Sequence, residues 1–206
     1  TPLIVSNGSW GDNLIHIAQY FKEGVKKLEL PKDRKIDPSE IEKFLALDSS
    51  VDTLIVVHQE TRSGILNPLE EIAEIARKYH CTLLVDAMSS AIVEKIDFKR
   101  LGVSQFSTSS AKGLRSFPGL GIVCGALEEF GKIKSYKRAS HYFDLYDEFR
   151  RQKDLKEVRF AQPPVLYVAL HEAIKEILEE RVENRRLLIH RRTREFRKWA
   201  DENQFT

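Results

Sequence analysis

The stretch Thr82-Leu83-Leu84-Val85-Asp86 narrows the possible folds of this chain more than any other. A strand with one wet face alternates apolar and polar residues, whereas a near-continuous apolar run belongs to a strand covered on both faces. Such strands sit in parallel sheets, and parallel neighbours need a helix-length crossover between them. The chain supplies both parts. Pro2 to Ser6 and Thr53 to His58 read as two more apolar strands, and the run around Asp86 extends from Cys81 to Met88. Amphipathic stretches lie between them. Leu14, Ile15, Ile17, Ala18 and Phe21 share one face of a helix expected from Gly11 to Phe21. Asp37-Pro38-Ser39-Glu40 opens a second helix, with Ile41, Phe44, Leu45 and Leu47 turned inward. A third starts at Asn67-Pro68 and carries the stripe Leu69, Ile72, Ala73, Ile75, Ala76 and Tyr79. Its acids Glu70 and Glu71 suit the helix N-terminus, and Arg77 and Lys78 suit the C-terminus. The fold expected is α/β: a three-layer αβα sandwich with a mainly parallel sheet.

Val25 to Leu30 reads as a strand near the sheet edge, and Gln105 to Ser109 and Gly121 to Gly125 as later strands, with a short helix at Phe98-Lys99-Arg100. The stretch from Ser135 to Gln162 holds Tyr136, Tyr142, Phe143, Tyr146 and Phe149, too many aromatics for a disordered linker, so a loop-and-helix segment is expected. Helices are expected from Val165 to Leu178, with Val165, Val168, Ala169, Ala173 (or Glu172) and Ile177 as a partial stripe, and from Glu183 to Trp199. The second is rich in arginine, but glutamates interleave with the arginines, which marks a solvated helix rather than a nucleic-acid surface. The domain reading is 1–162 as a large α/β domain and 163–206 as a helical segment leading out of it.

Composition excludes several classes of partner. The net charge of +2 gives no case for nucleic acid or an acidic membrane, and no apolar run reaches the length of a membrane span. The two cysteines, Cys81 and Cys124, fall in expected strands and lack metal-ligand spacing, so no metal site is expected. A soluble cytoplasmic protein is the expectation. The chain starts without Met and its first residues already read as a buried strand, and from this a fragment or excised large domain is expected.

The chemistry gathers where strands end. Ligands of parallel α/β sheets bind at the carboxyl edge. A carboxylate there, Asp86, is costly without a partner; the protonated nitrogen of a pyridine ring is one such partner, and a helix N-cap or turn is the alternative use. The second feature is Ser107 to Gly121, in which Lys112 follows Ser109-Ser110-Ala111 and precedes Gly113 and a Phe-Pro-Gly turn. A lysine held in a pocket at a sheet edge loses its proton more easily, because burial disfavours the ammonium, and a neutral amine adds to an aldehyde. His58 and Glu60 invite an acid–base role, but a place in the wall of the site accounts for both, and neither has metal spacing.

Together these stretches resemble the class V aminotransferases, pyridoxal 5′-phosphate (PLP) enzymes of fold type I. The resemblance rests on His58-Gln59-Glu60-Thr61-Arg62-Ser63-Gly64, on Val85-Asp86, on Lys112, and on Asn7-Gly8-Ser9-Trp10-Gly11, in that family's order and spacing, and it covers nearly the whole chain. It implies that Lys112 binds the cofactor covalently and moves the substrate proton, and that Asp86 faces the ring nitrogen. Trp10 would stack on the ring. Thr61, or as second choice Ser63, would place a hydroxyl near it, and Met88 would line the site. Ala111 departs from the polar residue usual before the lysine, so Ser109 or Ser110 would take its place. Arg115 is a candidate for holding substrate, with a loop ion pair as its other role. Asp86-Ala87-Met88-Ser89-Ser90, Gly64-Ile65-Leu66-Asn67-Pro68, Asp144-Leu145-Tyr146-Asp147 and Arg159-Phe160 are most similar to the branch that uses 2-aminoethylphosphonate as amino donor and pyruvate as keto acid. Trp10 is more similar to the alanine–glyoxylate and serine–pyruvate branch. A homodimer is implied as well, although Ala161 and Gln162 replace the threonine usual before Pro163-Pro164 and weaken a phosphate contact from a partner subunit. A cysteine desulfurase-like lyase would need a cysteine on a mobile loop, and an inactive truncated module is the non-enzymatic alternative.

Overall fold

The computed structural model describes residues 1–135 and 140–205; Tyr136, among the aromatics noted above, lies outside the described residues. The chain divides into two compact units. The first comprises Thr1–Ser89, Asp97–Thr108 and Ile122–Gln162; the second comprises Ser90–Ile96, Ser109–Gly121 and Pro163–Thr206.

The first unit is built on a six-stranded sheet. Its strands are β1 (Pro2–Ser6), β2 (Lys26–Glu29), β3 (Thr53–Val57), β6 (Thr82–Asp86), β7 (Val103–Ser109) and β8 (Gly121–Gly125), in the spatial order β2-β1-β3-β6-β7-β8. The pairings β1–β2, β1–β3, β3–β6 and β6–β7 are all parallel. A two-stranded hairpin, β4 (Gln59–Glu60) with β5 (Ile65–Leu66), stands apart from the sheet. The helices are α1 (Ser9–Phe21), α2 (Pro38–Leu47), α3 (Leu69–Lys78), α4 (Phe98–Leu101), α5 (Leu127–Lys132) and α6 (Leu145–Arg150). The expected α/β architecture with a mainly parallel sheet flanked by helices is what forms.

Strand order fixes where a ligand can bind. From β1 the chain crosses to the edge strand β2, then returns past β1 to β3 and continues outward to β6 and β7. Parallel crossovers are right-handed, so a reversal of direction moves the connecting helix to the opposite face. The crossover helix α1 therefore lies on one face, against β1 and β3, while α2 and α3 lie together on the other. The carboxyl ends of β1 and β3, whose connections leave in opposite directions, border the crevice that this topology opens.

Burial follows the apolar pattern. Leu3, Ile4, Val5, Leu54, Val56, Leu83 and Val85 form the sheet's share of the core, and Ile15, Ile41, Leu45, Leu69, Ile72, Ala73 and Ala76 the helices' share. Local chemistry sets the ends. Asp37 accepts the Ser39 N–H (2.9 Å) with Pro38 in the first turn of α2, and Asp97 accepts the Arg100 N–H (2.9 Å) before α4 closes on Gly102 at φ 73°. A buried amide pair ties the carboxyl edge together. Asn7 and Asn67 exchange hydrogen bonds (2.8 and 2.9 Å), Asn67 Nδ2 also donates to Val57 O, and Asn67 Oδ1 accepts the Ile36 N–H.

Several boundaries differ from the sequence reading. Helix α1 begins at Ser9, ahead of the expected Gly11, because a side chain from another loop caps it, as described below. Strand β6 stops at Asp86, where the carboxylate turns back to bind the Met88 N–H and ends the extended run. Leu47 is 90% exposed: it is the last residue of α2, beyond the stripe that Ile41 and Leu45 bury. In the aromatic segment α6 forms, and Arg159 orders the preceding loop by donating to the carbonyls of His141, Tyr142 and Asp144 and pairing with Asp147 (2.9 Å). Arg150 and Arg151 bind the same carboxylate, and these pairs hold its pKa down to about 2.

The second unit contains α7 (Pro164–Glu180) and α8 (Val182–Glu202), broken apart at Arg181, whose φ is 69°. Arg185 is buried against Glu180 (2.6 Å), and Arg186 donates to Ile92 O (3.0 Å). Only part of the expected stripe on α7 is buried: Ala173 and Ile177 pack inward, whereas Val165 and Val168 are 73% and 64% exposed. The described residues offer these two valines no apolar cover near the start of the helix.

Candidate active site

The carboxyl ends of β1, β3 and β6 bring most of the residues singled out in the sequence to one edge of the first unit. After β1 the chain turns at Asn7-Gly8 and enters α1, so Trp10 lies in the first turn of that helix. After β3 it passes buried His58 and forms the β4–β5 hairpin, which carries Glu60, Thr61 and Ser63. Strand β6 ends on Asp86, and Met88 and Ser89 follow it.

Glu60 is the residue whose role the sequence reading missed. It is only 1% exposed, and its two carboxylate oxygens accept the N–H groups of Trp10 (3.1 Å) and Gly11 (2.8 Å). The first N–H groups of a helix lack partners within it, and they carry the positive end of its dipole. Gly8, the residue at the local cap position, offers no side chain. Glu60 therefore caps α1 from the neighbouring strand-end loop. Two glycines make room: a Cβ at Gly8 would lie 2.4 Å from Glu60 Cδ, and one at Gly11 would lie 2.6 Å from Ser6 Oγ. These glycines are the signal that something packs against this turn.

Trp10 itself is 45% exposed and makes no ring contact among the described residues, so its indole is open at this edge. Asp86 is half-buried. It faces Val57 on one side and Ser107 on the other in the sheet register, and within its unit its carboxylate accepts one hydrogen bond, from the Met88 N–H (2.8 Å). Burial pushes its pKa up, and the negative charge of Glu60 adds to this, while the Met88 N–H works the other way. Such a carboxylate is stabilised by any cation brought to it. Met88 serves through its backbone N–H. His58 stays neutral, since burial lowers its pKa to about 4.

Thr61 and Ser89 meet, Oγ to Oγ, at 2.7 Å, which places a hydroxyl pair at the edge. Ser63 is exposed at the hairpin tip and accepts the Ile65 N–H (3.4 Å) beside Gly64, whose φ is 70°. Three buried side-chain atoms have no partner among the described residues: Ser116 Oγ, and Ser9 Oγ and Gln59 Oε1, which flank Trp10 and Glu60 in sequence.

Lys112 belongs to the second unit, on the loop from Ser109 to Leu120. Ser110 is fully buried and knots this loop: its hydroxyl donates to Phe117 O (2.6 Å), its N–H to Leu120 O (3.1 Å), and its carbonyl accepts the Ser116 N–H (2.9 Å). Of the two serines, Ser109 has the hydroxyl without a partner among the described residues. A Cβ at Gly113 would lie 2.2 Å from Ala91 O, so the turn rests backbone-to-backbone on Ala91 and against the side chains of Ile92 and Val93. That packing leaves Lys112 and Arg115 on the exposed side of the turn, and Arg115 adopts φ 56°. The sequence reading expected Lys112 in a pocket; in this chain it is exposed, because the turn's contacts are made by Gly113 and Ser110.

Among the described residues no group of three or more His, Cys, Asp or Glu could hold a metal ion, and no helix is long and apolar enough to cross a membrane.

Residues 5–199 match the family described as aminotransferase class-V. A protein of Lysinibacillus sphaericus named 2-aminoethylphosphonate–pyruvate transaminase is 30% identical over 201 residues, covering 98% of this chain and 52% of the relative. One of Klebsiella pneumoniae with the same name is 33% identical over 179 residues, covering 86% of this chain and 48% of the relative. The chain thus spans about half the length of the curated relatives it matches. Among solved structures, an alanine–glyoxylate aminotransferase of Nostoc superposes with a TM-score of 0.90 at 24% identity, over 98% of this chain and 54% of that one. This last likeness establishes a shared fold.

Proposed function

The chain belongs to the class V aminotransferases, and from that membership we propose that its protein transfers an amino group from an amino donor to a keto acid. PLP is the cofactor that goes with the family. When bound, it supplies an electron sink: its protonated ring accepts the electron pair left when a proton leaves the substrate α-carbon.

The residues present fit that group. Asp86 is a half-buried acid with a raised pKa and a single N–H partner in its unit, suited to a cationic ring nitrogen. The open indole of Trp10 offers a flat apolar surface for a ring, and the Thr61–Ser89 hydroxyl pair offers donors beside it. In this reading Asp86 keeps the proton on the ring nitrogen and Trp10 fixes the ring plane. Thr61 orients a polar substituent, and Met88 contributes the N–H that aims Asp86. Lys112 would hold the cofactor covalently through Nζ, and the same amine, when free, would serve as the base and acid for the substrate proton. Ser109, whose hydroxyl has no partner among the described residues, is the better of the two serines for a phosphate contact.

Asp86 is the observation that carries the proposal, because a half-buried acid with one N–H partner, and no cation paired with it among the described residues of its unit, is hard to explain as structure alone. For substrates we favour 2-aminoethylphosphonate and pyruvate. The support is the Asp86–Ser90, Gly64–Pro68, Asp144–Asp147 and Arg159-Phe160 segments together with relatives of that name, and Arg115 is the exposed cation nearest in sequence to Lys112. A homodimer belongs to the same proposal, supported by exposed Tyr142, Phe143, Val165 and Val168. A donor panel on the native gene product, scored by kcat/KM with pyruvate and glyoxylate, tests the substrates. Preference for alanine or serine with glyoxylate, the branch that Trp10 favours, would overturn the phosphonate choice. Absence of transamination with every pair would overturn the activity.

A further inference from the structure

We propose that Glu60 is the positioning residue for Trp10: its buried carboxylate, by accepting both the Trp10 and Gly11 N–H groups, sets the start of α1 and holds the indole over the place where the cofactor ring would lie. The inference rests on the PLP reading above for what the indole covers, and on geometry alone for how it is held.

Three observations carry it. First, α1 has no cap of its own, since the residue ahead of it is Gly8 and no local side chain binds its first N–H groups. Second, both oxygens of Glu60 are engaged, at 3.1 and 2.8 Å, with adjacent N–H groups, one of which is that of Trp10 itself. An amide in place of the carboxylate has one acceptor oxygen and must turn an NH₂ toward the second N–H, so a carboxylate is required to satisfy the pair. Third, Gly8 and Gly11 are cut to fit, because a Cβ at either would meet Glu60 or Ser6 at under 3 Å. The two segments, Asn7–Gly11 and His58–Gly64, thus form one device, in which the hairpin after β3 holds the aromatic platform after β1. A negative charge buried beside the positive end of a helix dipole is stabilised there. The negative charge of Glu60 also acts on Asp86, which adds to the attraction of a cation brought there.

The test uses the chain with Trp199 replaced by Phe, which leaves Trp10 as its only tryptophan. Hydrogen exchange of the Trp10 and Gly11 amides is followed with and without Glu60→Gln, and Trp10 emission is recorded during titration with PLP. Glu60→Gln should speed exchange at one or both amides about tenfold, as loss of a charge-assisted acceptor at a buried amide requires. The strand amides of β1 and β3 should keep their protection, and quenching of Trp10 by saturating PLP should weaken. Should Glu60→Gln fail to fold, Gly8→Ala gives the same reading, since it keeps the carboxylate and displaces it with a Cβ. Unchanged exchange and quenching in the folded variant would overturn the positioning role. Emission that PLP does not quench in the parent chain would overturn the cofactor reading instead, and the exchange result would still decide what Glu60 does to α1.

Discussion

Replacing Asn67 with Ala should be among the most destabilising single changes in the first unit. Asn67 is 2% exposed, and its amide makes four hydrogen bonds: two with the Asn7 side chain, one to Val57 O and one from the Ile36 N–H. The Ala variant leaves Asn7 Oδ1 and the Ile36 N–H buried without their partners, and it removes one acceptor-side bond at Val57. A buried group left unsatisfied costs about 1–3 kcal/mol, so two of them with a small cavity cost about 3–5 kcal/mol. That is a large share of the roughly 5–15 kcal/mol that holds a domain together. Asn7→Ala should cost less, because Asn67 keeps Val57 O and Ile36. The double variant should fall short of the sum by about 1–2 kcal/mol, since the reciprocal pair is counted in both single changes. Urea unfolding followed by far-UV circular dichroism, compared at equal slope, measures all three. A loss under about 1 kcal/mol for Asn67→Ala, or strict additivity, would refute the clamp, because groups that water can satisfy would behave that way.

Two further outcomes follow from the site. Asp86→Ala should leave covalent attachment of PLP to the lysine possible while slowing the half-reaction with an amino donor by about 2–4 kcal/mol of barrier, the usual scale for one electrostatic partner; a near-normal rate in the native gene product carrying this change would make the acid structural. His58 titrates near pH 4 when folded against 6.5 in the open chain, so the unfolded state binds more protons between those values, and stability should fall by about 3 kcal/mol as pH drops from 6.5 to 4. His58→Phe should remove that slope, and an unchanged slope in the variant would assign it to other groups.

The strands were legible because burial on both faces leaves an apolar run that few other structures need, as at Leu83 and Val85. Helix α2 was legible from Asp37-Pro38, and α3 from its stripe and its charged ends. The devices that join segments were not. Glu60 caps a helix that starts at Ser9, and Asn7 pairs with Asn67; neither partner lies within the few residues over which turn and cap patterns act. Only the spacing of Gly8 and Gly11 hinted at a close approach. Periodicity also overreached on α7, where Val165 and Val168 repeat at helical spacing yet remain exposed, since a stripe reports only which residues can be buried together. For the loop around Lys112 the composition announced small residues and a turn, but which serine knots it, Ser110, depends on contacts with Phe117 and Leu120 that composition does not specify.

The central claim, that this chain carries the lysine and acid of a PLP site, is tested most directly by trapping the attachment. The native gene product is loaded with PLP, reduced with borohydride and digested, and the pyridoxyl label is mapped by mass spectrometry. The account predicts the label on the peptide containing Lys112, with none there in Lys112→Ala. Recovery of the label on Lys95 or Lys132, or an equal yield from the Lys112→Ala protein, would contradict it.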